Sequence, residues 1–294
     1  MQEHEFTTRL MGCDTMVSIV SASRARAETA YAHALTLGRD YEARFTRFHD
    51  DSELSRLNRE RKASISPLFM DALLHARELY LETSGVFNVL LQVRSLGYTT
   101  DFTSMDKDTV GDSAIYNTNF MEVAIDGDTN TVSLSPGQQL DFGGFIKGHT
   151  AEVMARSVSD ASGVVVNIGG DIYAHGLDVE GAPFRFSVYD PLIDSYPFAI
   201  PAERGAVATS GTYRRAWQRN AKMVHHILDR SGRENPDSDI ISATVAHPVG
   251  YVADAYATVA VALGSDAART FLSDRGRTFA LITKDGSRIT SPDL

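Results

Sequence analysis

Between Leu140 and Gly148 the chain reads LDFGGFIKG, which sets a carboxylate, a glycine pair and a lysine within seven residues at the mouth of a helix. From Phe145 onward Ile146, Val153, Met154, Val158 and Ala161 recur at three-, four- and seven-residue steps, so the spacing predicts a helix running to about Gly163. Gly143 and Gly144 then stand at its N-terminus, where free amide donors and the positive end of the dipole collect. Two residues without Cβ let a ligand phosphate approach that backbone closely. Lys147 is the odd member, because a cation in a first turn opposes the dipole and calls for an anion nearby. A glycine-rich turn with a solvent-facing lysine is the alternative for this stretch taken alone.

A chain of 294 residues with 43% hydrophobic and 22% charged residues can bury a sizeable core. Its formal charge of −10 argues against a nucleic-acid surface, which needs clustered lysine and arginine. An anionic ligand must therefore be met by local positive charge and helix ends. The lone cysteine, Cys13, excludes an internal disulfide and a thiolate zinc site. Leu10-Met11-Gly12-Cys13 resembles a lipoprotein cleavage box, but the preceding MQEHEFTTR is polar and charged where a signal peptide needs an apolar run. The most apolar window, Tyr256 to Leu263, falls far short of the ~20 residues of a membrane span. A soluble chain with no membrane span is expected.

Read in order, Phe6 to Leu10 and Thr15 to Val20 form short strands around Met11-Gly12, and Ala27, Tyr31, Ala34, Tyr41, Phe45 and Phe48 mark one face of a long helix. Asp51 or Ser52 caps a short second helix. Arg47 and Arg56 could steer an anion or belong to a solvated charged face. Ser66-Pro67 starts a helix that Ser84-Gly85 stops. Tyr98 to Asn119 reads as an irregular insertion, followed by a hairpin turning at Gly127-Asp128 and then the glycine-rich stretch. VVVNIGGD (Val164 to Asp171) is a buried strand closing on a second glycine pair. Phe184 to Val188 alternates as a strand, and Ala206 to Trp217 is a strand leaving through small residues into Arg214-Arg215. Trp217 is either a stacking surface or a structural aromatic. His225 and His226 fall on alternate faces of a strand. Ile240 to Pro248 is another strand. A helix near Asp254 to Leu263, a short helix from Ser265 and a last hairpin close the chain. No linker divides residues 1–294, so a single domain is expected.

Asp254 and Thr258 stand four residues apart, so a carboxylate and a hydroxyl project from one helix face. Both are hard oxygen ligands, and with a backbone carbonyl they suit Mg²⁺ rather than zinc. A helix-capping aspartate beside a core threonine is the plainer alternative. Attack of a hydroxyl on phosphorus needs a base, for which His226, held next to Asp229 across a turn, is the candidate.

Met11-Gly12, RFHDDSELSRLN, SGVFN, LDFGGFIKG, VNIGGD, VATSGTYRR, HILD with Gly232-Arg233, and the Asp254/Thr258 pair stand in the order seen in the ApbE family, which the chain resembles from about residue 5 to 290. The resemblance implies an α+β fold of mixed sheets packed with helices around a T-fold-like core. It implies an FAD:protein FMN transferase, a Mg²⁺-dependent enzyme that cleaves FAD, transfers FMN to a threonine or serine hydroxyl of a target flavoprotein and releases AMP. Met11, Phe48, Val86, Phe87, Asn88, Asp141, Lys147 and Leu228 would line the FAD site. Asp254, Thr258 and the Gly144 carbonyl would hold the magnesium, and His226 would be the base. A cytoplasmic form is expected, since the family's first strand begins almost at Met1.

Three positions depart from the family pattern. Val86-Phe87-Asn88 replaces Ala-Phe-Asp, which turns a carboxylate acceptor into an amide that also donates. Arg230 follows Asp229 where proline is common, and Gly148-His149 replaces Gly-Tyr. Two rival readings share the site: an FAD hydrolase giving FMN and AMP, and a flavin-binding or carrier protein without turnover. No G-x-G-x-x-G follows a first strand, which sets a nicotinamide oxidoreductase aside.

Overall fold

The computed structural model describes Met1 to Leu294 apart from residues 101, 103, 104, 106, 107, 110, 112, 113 and 203. Strands β1 (Gln2–Leu10) and β2 (Cys13–Ser21) pair antiparallel in full register, from Gln2 with Ser21 to Leu10 with Cys13. Met11 and Gly12 make the turn at φ 51° and 70°. The four residues that resemble a lipoprotein box are thus the closed end of a hairpin.

Ser23 caps α1 (Arg24–Phe45) by accepting from the Arg26 amide. The helix ends at Phe45, so Phe48 does not belong to its apolar face: Thr46 turns extended, and its carbonyl accepts from the Ser52 hydroxyl at 2.6 Å. Ser52, not Asp51, then caps α2 (Glu53–Glu60), accepting from the Ser55 amide at 3.0 Å. After β3 (Lys62–Ser64), Ser66 caps and Pro67 opens α3 (Pro67–Glu82), and the chain leaves it through Ser84 and Gly85, both at positive φ. The expected insertion at about 98–119 includes all the residues outside the described set except 203. Within it, β4 (Asp108–Thr109) pairs in parallel with Gln218 and Arg219. Strands β5 (Ala124–Asp126) and β6 (Thr131–Ser133) form the expected hairpin.

Helix α4 (Ile146–Arg156) is shorter than the periodicity predicts. Ser157 donates its hydroxyl to the Met154 carbonyl at 2.7 Å, which uses up a terminal acceptor, and Val158 enters the core from the loop beyond. Strands β7 (Gly163–Ile168) and β8 (Asp171–Gly176) follow, joined by Gly169 and Gly170 at φ 66° and 107°. Next come β9 (Phe184–Asp190), β10 (Ser195–Ala202), β11 (Arg204–Gly211), β12 (Ala216–Arg219) and β13 (Lys222–His225). Because β13 ends at His225, His226 lies just past the strand and not on its opposite face. Strand β14 (Ile240–His247) leads to α5 (Gly250–Leu263), which starts a turn earlier than the sequence suggests, then α6 (Ser265–Ser273) and the hairpin β15 (Phe279–Thr283) and β16 (Arg288–Thr290).

The main sheet has eight strands in the order β1-β2-β7-β8-β11-β14-β15-β16, each antiparallel to its neighbours. Alternation along the strands gives it two buried faces. Val17, Ile19, Val164, Val166, Tyr173, Ala206 and Ala208 pack under α1 and α4. Their neighbours Val20, Val165, Ala174 and Val207 point the other way, against the β9–β10 hairpin. Helices on one face and a hairpin on the other make an α+β fold, as expected.

One close approach sets the site. A Cβ at Gly148 would collide with the Gly250 carbonyl, and one at Gly250 with the Gly148 carbonyl, so only this glycine pair lets α4 and α5 touch backbone to backbone. Neither helix has a side-chain cap from its own N-cap residue. They cap each other instead: Asp254 of α5 accepts from the Gly148 amide at 3.1 Å, and Glu152 of α4 accepts from the Gly250 amide at 2.7 Å.

Candidate active site

The mutual capping brings Lys147, in the first turn of α4, alongside Asp254. Lys147 donates to Asp171 in a very short contact and lies 3.5 Å from Asp254. Asp171 reaches it because the Gly169-Gly170 turn ends at the start of β8. The anion that the lysine calls for is thus supplied by the protein's own carboxylates. Both are buried, at 2% exposure each. Burial alone would lower the Lys147 pKa, but the charges of Asp171 and then Asp254 outweigh it and hold the ammonium above its ordinary value. Asp254 goes the other way from a paired carboxylate: burial, then repulsion from Asp171, raises its pKa well beyond the usual range, against the pull of Lys147 and the Gly148 amide. Burial thus works against a second carboxylate charge beside Asp171, and a cation bound next to Asp254 would favour its ionised form.

This group forms the floor of a cavity of about 980 Å³, the size of a site for a large cofactor. All twelve residues singled out from the sequence line it. Met11, Phe48, Val86, Phe87, Asn88, Asp141, Gly144, Lys147, His226, Leu228, Asp254 and Thr258 are brought together from elements scattered over the chain. Val86, Phe87 and Leu228 are buried wall residues, whereas Phe48 is 42% exposed at the rim.

Several polar residues have partners that the sequence did not disclose. Asp141 accepts from the Gly143 amide at 2.9 Å and pairs closely with Arg47. Arg47 is held 4.9 Å from the Phe48 ring and 4.5 Å from the Tyr98 ring, which places it in the cavity and not on a solvated face. Arg56 instead bonds the Ser64 carbonyl at the surface. Asn88 donates to the Thr118 carbonyl at 2.8 Å and accepts from the Leu90 amide at 2.9 Å, so both ends of its amide hold the loop together. A carboxylate there could make only the second bond. Thr258 shares a hydrogen bond with Ser210 at 3.0 Å. Trp217 is a structural aromatic: it is buried and donates to the Leu96 carbonyl at 2.8 Å.

His226 is half-buried, and its Nδ1, shielded from solvent, has no partner among the described residues. Burial first, then the charges of Arg215, His225 and Lys147, lower its pKa to about 3, so it is neutral at physiological pH. The expected contact with Asp229 is not made. That carboxylate accepts from the Ser231 hydroxyl at 2.7 Å and from the Arg233 amide, closing its own turn.

Asp171, Ser210 and Arg215 complete the cavity without having been assigned roles from the sequence. The signal for Asp171 was present in VNIGGD, as the first side chain after a glycine pair that ends a buried strand.

The sequence pattern of the ApbE family matches residues 11–282. The chain belongs to the ApbE family. A curated relative in Escherichia coli K12, named FAD:protein FMN transferase, is 26% identical over 155 residues, covering 51% of this chain and 44% of its own. The chain therefore matches less than half the length of that relative. A relative of the same name in Treponema pallidum is 28% identical over 267 residues, covering 82% of this chain and 73% of its own. The crystal structure of the ApbE protein of Thermotoga maritima shares the fold, with a TM-score of 0.89 at 22% identity over 99% of this chain and 98% of that one.

Could a magnesium ion sit in this ApbE cavity? Among the described residues no three His, Cys, Asp or Glu side chains gather as a metal cluster, which disfavours an all-protein cage. Mg²⁺ is usually held otherwise, by one or two carboxylates with waters and substrate phosphates. The Asp171 and Asp254 carboxylates, with the hydrogen-bonded Thr258 and Ser210 hydroxyls, are a donor set of that kind.

Proposed function

We propose that this chain cleaves FAD at its pyrophosphate and transfers the FMN moiety to a threonine or serine hydroxyl of a target flavoprotein, releasing AMP, with Mg²⁺ as the metal. The observation that carries this reading is the charged floor: Lys147, Asp171 and Asp254 lie buried together at the end of a cavity otherwise walled by Val86, Phe87 and Leu228. The Lys147 ammonium, together with a cation held by the two carboxylates, would stabilise phosphate oxygens, and such walls suit the flat apolar rings of a flavin. The names of the E. coli and T. pallidum relatives point to FAD as the substrate and to a protein as the acceptor.

In the reaction the acceptor oxygen bonds to the FMN phosphorus as the bridging pyrophosphate bond breaks, and AMP leaves with the bridging oxygen. His226 takes the hydroxyl proton. Its imidazole is already neutral, and the phosphates of bound FAD would supply the negative charge that offsets Arg215 and Lys147 and raises its basicity. Lys147, held by Asp171, positions the phosphate oxygens for in-line displacement. Asp254, Thr258 and the Gly144 carbonyl would hold a magnesium ion, whose charge would offset that developing on the pyrophosphate. Asn88 supports the wall through its bonds to Thr118 and Leu90, and its second N–H remains able to meet the cofactor.

Product analysis after incubation with FAD and Mg²⁺, with and without an acceptor subunit, tests the reading. Transfer gives AMP that depends on the acceptor. AMP and free FMN in equal amounts without acceptor would replace it with hydrolysis, and intact bound FAD in both tubes would replace it with a carrier role.

A further inference from the structure

Transfer to a protein requires that a polypeptide hydroxyl travel from the cavity mouth to a floor formed by Lys147 and His226. A folded surface cannot enter such a space, but an extended segment can, because alternate side chains of a strand project to one side. The lining of this cavity includes a strand with an open edge. Strand β9 pairs with β10 alone among the described residues, and its Phe186, Ser187 and Tyr189 line the cavity.

The two edges of this hairpin differ. Strand β10 carries Pro197 and Pro201, whereas β9 contains no proline. A proline has no N–H to offer, and prolines on an edge block the addition of another strand. Pro201 stands opposite Arg185, and Ala199 opposite Ser187. Proline fits where its nitrogen faces away from the ladder, so the peptide groups of Arg185 and Ser187 face away from β10 as well. The prolines thus protect the outer edge of β10, whereas β9, which gives three side chains to the cavity lining against the single Tyr196 of β10, keeps an edge able to accept a strand. At the tip beside it Leu192, Ile193 and Tyr196 are 49%, 52% and 62% exposed, and Tyr189 lies 5.4 Å from Tyr196 and 6.2 Å from Tyr213, ring to ring. Exposed apolar and aromatic side chains next to an open edge provide the side-chain contacts that accompany strand addition.

We propose that the free edge of β9 is the docking strand for the acceptor protein, which adds an extended segment as a third strand to the β9–β10 sheet and so directs its hydroxyl-bearing side chain to the cavity floor. The proposal rests on the flavin-transfer reading and adds to it the surface and the conformation by which the acceptor is recognised.

The test uses the full chain with FAD and Mg²⁺ and, as probe, a flavoprotein subunit that normally carries FMN on a threonine, prepared without flavin. Ser187→Pro removes one outward-facing donor from the edge and leaves the ladder to β10 in place, while Ser187→Ala alters only the side chain. The expected result is a rise of about tenfold in KM for the acceptor with S187P, the size of one or two lost hydrogen bonds. In S187A the acceptor KM should stay within about twofold of the parent, which separates loss of the backbone donor from loss of the side chain. Because S187P could misfold, amide hydrogen exchange of residues 184–190 in the unaltered protein is measured alongside. Slower exchange on adding the subunit supports the proposal, and unchanged exchange overturns it. Equal acceptor KM for S187P and the unaltered protein overturns it too, as does a dimer of the unaltered protein that S187P dissociates, since the edge would then bind a second copy. If the unaltered protein modifies no acceptor but cleaves FAD, the transfer reading itself fails, and the docking strand with it.

Discussion

Lys147 and His149 are two residues apart on α4, the first largely and the second almost wholly withdrawn from water, and one is kept charged while the other is kept neutral. Lys147 faces the cavity floor with Asp171 and Asp254 beside it and remains an ammonium. His149 faces the core, where its Nε2 lies 3.2 Å from the Tyr41 hydroxyl, its Nδ1 has no partner among the described residues, and the rings of His75 and Tyr251 close over it. Burial, then the proximity of His75, lowers the His149 pKa to about 4 despite Asp71. The same helix and comparable burial thus give a cation on one side and a neutral ring on the other. Desolvation sets the cost of charge at both sites, and the counter-charge decides whether it is met.

The strongest way to break this contrast is to take both anions from Lys147. Asp171→Asn together with Asp254→Asn leaves a buried ammonium without a counter-charge, and urea unfolding should show a loss of about 3–5 kcal/mol, or a lysine that has become neutral. A smaller effect should follow from separating the two helices. Gly148→Ala places a methyl against the Gly250 carbonyl and the Asp254 Cβ and should cost about 1–3 kcal/mol, with a matching fall in Tm.

On the neutral side the expected signature is pH dependence. His149, and with it His225, His226 and His247, have folded pKa values lowered to about 3 or 4 against an ordinary 6.5. The unfolded chain therefore binds more protons between these values, so their stabilising contribution is fully present above about pH 6.5 and is lost as pH falls through about 4. A thermal scan should show Tm falling as pH drops from 7.5 to 5, by roughly 2–4 °C for each kcal/mol lost. The smallest change is expected from His149→Phe, combined with Tyr41→Phe so that no hydroxyl is stranded. Apolar replacement of both partners should leave Tm at pH 7.5 within a few degrees and make the acid limb shallower.

The sequence discloses what is local. Ser66-Pro67, the Met11-Gly12 hairpin and the Gly127-Asp128 turn depend on residues adjacent in the chain, and each appears where expected. The collection of twelve residues into one cavity was legible through the ordered motifs, whose spacing carries the fold with it. Contacts between distant segments were not legible. Asp254 caps Gly148 across 106 positions, and Ser52 ends α1 by bonding Thr46 from outside the helix, so neither the mutual caps nor the departure of Phe48 could be read from periodicity. Asp171 escaped for the same reason: a carboxylate at the end of a glycine turn acquires its role only when α4 delivers Lys147 to it.

Intact-mass analysis of an acceptor subunit after incubation with FAD, Mg²⁺ and either the unaltered chain or Asp254→Ala tests the central claim most directly, because Asp254 joins the charged floor to the proposed metal and caps α4. The account predicts that the subunit gains the mass of FMN with the unaltered chain and that Asp254→Ala slows this gain by roughly 10³-fold, as loss of a preorganised charge in a dry site does. An acceptor flavinylated equally fast by both proteins would contradict it.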